Sequence, residues 1–231
     1  MTAISGRDLN TELIAAATDG DHEAINRLLA QGANHSAALR IAAHNGHAEC
    51  VKLLITFPPQ KADNSAVLAA AAHNGHAECV KLLIPFSDPK ANASKALRFA
   101  AHNGHAECVR LLVPFSDPKA QNSQALRNAI AKGHPECARL LAPVSDPLIG
   151  MVEAVARLAS ISDESASALP TLLALEPRLF DELNFPAILA AATAKGHEKI
   201  ALLISSIIEQ KSLAAHLPSF AAGNSLAPRR L

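Results

Sequence analysis

The sequence predicts an all-α solenoid of about seven helix-pair units joined by short turns. Two observations carry that expectation. A ten-residue string returns at a fixed period, and each period holds two helical apolar patterns divided by a glycine. The string AAHNGHAECV occupies 42–51, 71–80 and 100–109, and a drifted copy, AIAKGHPECA, occupies 129–138. Gly46, Gly75, Gly104 and Gly133 stand 29 residues apart.

Taken in chain order, the first unit spans about 8–35 and centres on Gly20 in ELIAAATDGDHEAINRLLAQGAN. Units at 36–64, 65–93, 94–122 and 123–147 follow. Gly133 and Gly196 are 63 residues apart, two periods and five more, so a degenerate unit is expected over 148–184. A further unit, AILAAATAKGHEKIALLI, lies within 185–204. A capping helix is expected over 205–216, and a flexible tail over 217–231. Thus 1–216 reads as a single solenoid.

Within 94–113, SKALRFAAHNGHAECVRLLV, Ser94 is the expected N-cap. Ala96, Leu97, Ala100 and Ala101 form one apolar face at helical spacing. Gly104 ends the helix because it tolerates positive φ. The second helix is expected to turn Cys108, Val109, Leu111 and Leu112 inward, with Glu107 and Arg110 outward. Pro114 and Pro118 stop it, and SDPKA makes the turn to the next unit. No unit buries its apolar face alone, so stacking must do so.

The pattern resembles the ankyrin repeat, whose usual core is T-P-L-H-x-A-A-x-x-G-H-x-x-x-V-x-x-L-L. Leu39, Ala42, Ala43, Gly46, His47, Val51, Leu53 and Leu54 match its residue types in order, the leucine pair falling one position early. The resemblance is strong over 8–147 and good over 185–204. There are two departures. A-A-L-R, K-A-L-R and Q-A-L-R replace T-P-L-H, and the period of 29 is shorter than the family's 33. The missing residues fall where ankyrin proteins carry a β-hairpin finger, so short turns are expected in place of fingers.

Composition narrows function. Hydrophobic residues make up 49% and charged residues 18%, and 21 basic residues balance 21 acidic ones. A neutral surface does not attract phosphate backbones at long range, so no nucleic-acid partner is expected. The first residues lack a basic region followed by an apolar stretch, so no cleavable export signal is expected. No apolar run approaches the roughly 20 residues that span a bilayer, so no membrane partner is expected. Cys50, Cys79, Cys108 and Cys137 repeat with the period, which reflects duplication and not a disulfide framework. They read as reduced thiols in a cytoplasmic protein, with secretion as an effector an open alternative.

His44, His47 and Cys50 have the residue types of a zinc site. The resemblance offers another account, in which the histidine after the glycine orders the turn through backbone. Cys50 falls at an inward apolar position, where a thiol acts as a small hydrophobe. No metal, cofactor or catalytic residue is therefore assigned. A catalytic cysteine is normally singular, whereas these recur, and no phosphate loop, HExxH or GxSxG is present. Asp88, Asp117 and Asp146 read as turn-initiating residues before proline. Phe57, Phe86 and Phe115 are expected to pack beneath the turns; the alternative is an exposed aromatic ridge.

The resemblance implies a protein-binding module that works through the concave face of the stack. The residues just before each unit's turn glycine face that side: Asp19, His44–Asn45, His73–Asn74, His102–Asn103 and Lys132. Arg40, Arg98 and Arg127 either brace the turn backbone or form a basic strip for an acidic partner. Asp88, Lys90, Asp117 and Lys119, together with Lys61, line the turn edge. The partner is expected to be another protein, bound by a chain that is monomeric when free. A bacterial immunity protein that neutralises a toxin or enzyme is one alternative, and a secreted effector that binds host proteins is another.

Overall fold

The computed structural model describes residues 6–57, 64–145, 185–194 and 196–216. All structural statements refer to these. The degenerate unit 148–184, the tail 217–231, Lys61, Asp146 and Lys195 lie outside them.

The described residues form twelve α-helices and no strand. The first ten are α1 (Gly6–Asp19), α2 (His22–Ala30), α3 (Ser36–Asn45), α4 (Ala48–Thr56), α5 (Asn64–His73), α6 (Ala77–Leu83), α7 (Ala91–His102), α8 (Ala106–Leu112), α9 (Ala120–Ala131) and α10 (Pro135–Leu141). Odd-numbered helices pack on one another in sequence, and so do even-numbered ones, giving two parallel layers. Two more, α11 (Phe185–Ala194) and α12 (Glu198–His216), pair with each other. The segment read as a second helix followed by a separate capping helix is thus one helix.

The core lies between the layers, and its composition follows from helical spacing. From α7 come Ala96, Leu97, Ala100 and Ala101, and from α8 come Cys108, Val109 and Leu112, all buried. Small alanines on the first helix let the layers approach closely, while a leucine from each helix fills the space between units. Leu111 departs from expectation. It is half-buried, as is Leu82, whereas Leu83 and Leu112 are fully enclosed. A seven-residue helix turns one residue of the Leu-Leu pair fully inward and leaves the other at the margin.

The turns are short, as the period requires, but their backbone is unusual. Asn92, Ala93 and Ser94 have φ of 51, 55 and 56°, and Gln121, Asn122 and Ser123 repeat this at 51, 56 and 57°. Left-handed conformation costs a residue with a side chain roughly 1–2 kcal/mol, so consecutive cases need support. Arg98 supplies it: Nε donates to the Ala93 carbonyl and Nη2 to the Asn92 carbonyl, each at 3.1 Å. Its Nη1 reaches Gln124 Oε1 of the next unit at 2.9 Å. Of the two roles set out for the arginines, bracing is the one Arg98 fills. Arg127 is half-buried and Arg40 exposed.

Ser94, expected as the N-cap, does not cap its helix: it lies inside α7 in the left-handed region, and Lys90 holds the N-cap position. The buried Ser94 hydroxyl accepts the Asp117 amide of the following turn at 2.8 Å, and Ser65 accepts that of Asp88 at 3.2 Å. Asp88 and Asp117 initiate turns as expected, each Oδ1 accepting the amide two residues on, from Lys90 at 2.9 Å and Lys119 at 3.0 Å.

Candidate functional site

Each first helix ends at a glycine in the left-handed region, and the residues around it form a ladder from unit to unit. The histidine after the glycine bonds its own turn through its backbone N–H, but in His47, His76, His105 and His134 the imidazole reaches back one unit. Its Nε2 donates to the carbonyl two residues before the glycine of the preceding unit. The pairs are His47 to Thr18, His76 to His44 and His105 to His73, each at 2.9 Å, and His134 to His102 at 3.0 Å. A carbonyl can only accept, so each of these Nε2 atoms carries a proton.

The asparagines reinforce the same rungs. Asn74 Nδ2 donates to the His44 carbonyl at 3.0 Å and to His44 Nδ1 at 2.9 Å. Asn103 does the same to His73, at 2.9 and 3.0 Å. Asn45 reaches only the Thr18 carbonyl, at 3.3 Å. Because Nδ1 of His44 and His73 accepts, the ring N–H of each lies on Nε2. These rings are exposed. The edge therefore offers hydrogen-bond donors from the histidines, while the asparagine N–H groups are engaged within the stack. Lys132 replaces the asparagine in the fifth unit and is exposed, as is Asp19 at the first. His102 and Asn103 are half-buried. Burial, with Lys132, His134 and His73 nearby, holds the His102 pKa below its usual 6.5.

The structure separates the residues of the tempting zinc set. Cys50 is enclosed between the layers, His47 bonds Thr18, and His44 lies on the exposed edge. Among the described residues no three or more His, Cys, Asp or Glu groups converge as a metal site. Burial pushes the thiols of Cys79, Cys108 and Cys137 up to about 11, and Cys50 in the same direction. They are protonated core groups, not nucleophiles.

Beside the ladder lies a row that the sequence reading did not single out. Where the first helices of the near-identical units differ, they differ mainly at two positions four residues apart: Ala37 and Ile41, Ala66 and Ala70, Lys95 and Phe99, Gln124 and Asn128. All eight are exposed or half-buried. Phe99 meets the His73 ring edge-on, with centroids 5.3 Å apart, and Lys95 Nζ lies 5.3 Å from the Phe99 centroid. Comparing the copies with one another would have marked this row, whereas a search for shared motifs passes over it. On the opposite edge, Lys90 and Lys119 are exposed beside Asp88 and Asp117.

None of the described helices is long and apolar enough to cross a membrane. A search of curated proteins finds no match. The family model for ankyrin repeats, three copies, matches residues 13–94 and again 68–149. Those matches together cover more than half of the 231 residues. The chain belongs to the ankyrin repeat family.

Proposed function

We propose that this chain is a non-enzymatic protein-binding module that engages its partner through the first-helix layer and the His–Asn edge beside it. Ankyrin repeats generally serve protein–protein interaction. The observation that carries the finer reading is the row of differences between otherwise similar units. The positions buried between layers repeat almost unchanged, since packing constrains them. The accessible pair on each first helix varies from Ala–Ile to Ala–Ala to Lys–Phe to Gln–Asn. A duplicated stack presents one surface many times over, and only such differences give it a direction and a register. Lys95, Phe99 and His73 form the most distinctive point of that row, combining a cation, an aromatic face and a donor. Asp19, His44, Asn45, Asn74, His102, Asn103 and Lys132 make the edge around it.

The test is capture of the partner from the source cell, then affinity measured with Lys95→Ala and Phe99→Ala together. A loss of at least about tenfold, roughly 1.4 kcal/mol, is expected. Reversing Lys81 and Arg110 on the second helices should change little. The opposite pattern would place the interface on the other layer.

A further inference from the structure

We propose that the first-helix layer of the second to fifth units takes an acidic segment of its protein partner, whose carboxylates meet Lys95, Lys132 and the imidazole N–H groups of His44 and His73. This rests on the first-helix reading above and names the chemistry of what that surface holds. The observation that carries it is a segregation of charge hidden by the net balance. The chain as a whole is neutral. Yet α3, α5, α7 and α9 contain Arg40, Lys95, Arg98 and Arg127 and no aspartate or glutamate. The carboxylates of the same units lie elsewhere and are matched there. On each second helix a glutamate stands three residues before a cation. Glu49 and Lys52 lie 3.9 Å apart, Glu78 and Lys81 3.8 Å, Glu107 and Arg110 3.6 Å, and Glu136 accepts Arg139 Nε at 2.9 Å. In the turns, Asp88 and Asp117 accept their own backbone amides and stand beside Lys90 and Lys119. The first-helix layer is left with cations. Arg98 is committed to the turn backbone, but Lys95 and Lys132 are exposed, and neither meets a carboxylate among the described residues.

The imidazoles add donors to the same surface. Asn74 holds Nδ1 of His44 and Asn103 holds Nδ1 of His73, so each exposed ring is fixed with its N–H at Nε2. Those N–H groups have no acceptor among the described residues, and a carboxylate is an acceptor that cannot donate. The donors are contiguous. Asn74, which clamps His44, is the neighbour of His73; the His73 ring meets Phe99 with centroids 5.3 Å apart, and Lys95 Nζ lies 5.3 Å from the Phe99 centroid. Because these contacts form on folding, a ligand need not order the rings itself. The surface also has a direction. Asp19, Asn45, Asn74, Asn103 and Lys132 occupy the same place before successive glycines, so the edge runs from an anion to a cation. The acidic residues of the partner belong at the α7–α9 end.

A nucleic acid fits this layer less well. Its affinity grows with the number of phosphates that cations neutralise, and the exposed cations here are few: Arg40, Lys95 and Lys132. Bases also need aromatic platforms, and Phe99 is the one aromatic residue of α3, α5, α7 and α9 apart from the histidines. Phe86 and Phe115, expected beneath the turns, stand 53% and 51% exposed on the opposite edge and take no part.

The experiment is an NMR titration of the full chain with an acetylated oligoglutamate peptide at low salt. Oligoglutamine of the same length and oligothymidylate are the controls. Oligoglutamate should move the imidazole signals of His44 and His73, the controls should not, and added salt should weaken binding. Lys95→Gln/Lys132→Gln should keep its melting temperature and bind at least about fivefold more weakly. Lys81→Gln/Arg110→Gln has the same net charge and should bind as the parent does, because those cations already face their own glutamates. Unmoved imidazole signals, equal losses in the two variants, or a preference for either control would overturn the proposal. So would a concentration-dependent mass in light scattering that Lys95→Gln/Lys132→Gln abolishes, since glutamates of a second copy would then be the occupant. Oligoglutamate should also displace the captured partner. A partner that needs Lys95 and Phe99 yet resists displacement would leave the first-helix site standing and overturn its acidic occupant. A partner bound to the second helices would overturn the site itself.

Discussion

The imidazole of His105 lies against Gly75, one unit back. A Cβ built on Gly75 would meet His105 Nδ1 at 2.5 Å, while Nε2 of the same ring sits 2.9 Å from the His73 carbonyl. Glycine is therefore required twice at that position, for its φ of 80° and for the ring stacked above it. The same pairing joins Gly104 to His134 and Gly20 to His47.

Replacing Gly75 with alanine should cost more than the roughly 1–2 kcal/mol of a left-handed residue, because His105 must also shift. Gly32, with φ of 87° and nothing within 4 Å of a built Cβ, is the control. Gly32→Ala should show the backbone cost alone. Urea midpoints compare the two, and equal losses would mean that the imidazole yields freely.

Leu83→Ala and Leu112→Ala should each lose about 2–5 kcal/mol, since both side chains are enclosed between units and leave a cavity. Leu82→Ala and Leu111→Ala should lose distinctly less, because these side chains already touch water. Chemical denaturation of the four variants checks the order, and a reversed ranking would place the second helices in a different rotation.

Acid should weaken the stack. Burial lowers the pKa of His35, and burial with nearby Lys132 lowers that of His102, both from the usual 6.5. Above that pH both folded and unfolded chains are neutral at these rings. As pH falls through 6.5 the unfolded chain takes up protons that the folded chain resists, so stability declines toward the lower folded pKa. Denaturation midpoints should drop between about pH 7.5 and 5.5, and His102→Gln should flatten part of that slope. A slope unchanged in the variant would assign the effect elsewhere.

The thiols should be inert while the chain is folded. Cys79, Cys108 and Cys137 are buried, with pKa raised to about 11, so little thiolate exists at neutral pH. Labelling with a thiol reagent should be many times slower than for free cysteine and should accelerate on adding urea. Rapid labelling of the native protein would show the layers opening.

The sequence alone determined the repeat, the helix pairs, the glycine stops and the exclusion of long fingers. Each depends on local chemistry or spacing: the 29-residue return of Gly46, Gly75, Gly104 and Gly133, the helical rhythm of Ala96, Leu97, Ala100 and Ala101, and prolines that bar a longer second helix. The inward positions followed from the same rhythm, except that a Leu-Leu pair does not say which leucine is enclosed. Tertiary structure decided what depends on the neighbouring unit. His105 reaches His73, Asn103 bonds the His73 ring, Ser94 serves Asp117, and Arg98 holds a left-handed turn while reaching Gln124. It also decided that Phe86 and Phe115 stand in water while Phe57 lies half-buried near His35. Local sequence is nearly identical across these units, so it cannot distinguish a contact within a unit from one across a junction. Only the stacking of one helix pair on the next brings residues about thirty positions apart within hydrogen-bond reach.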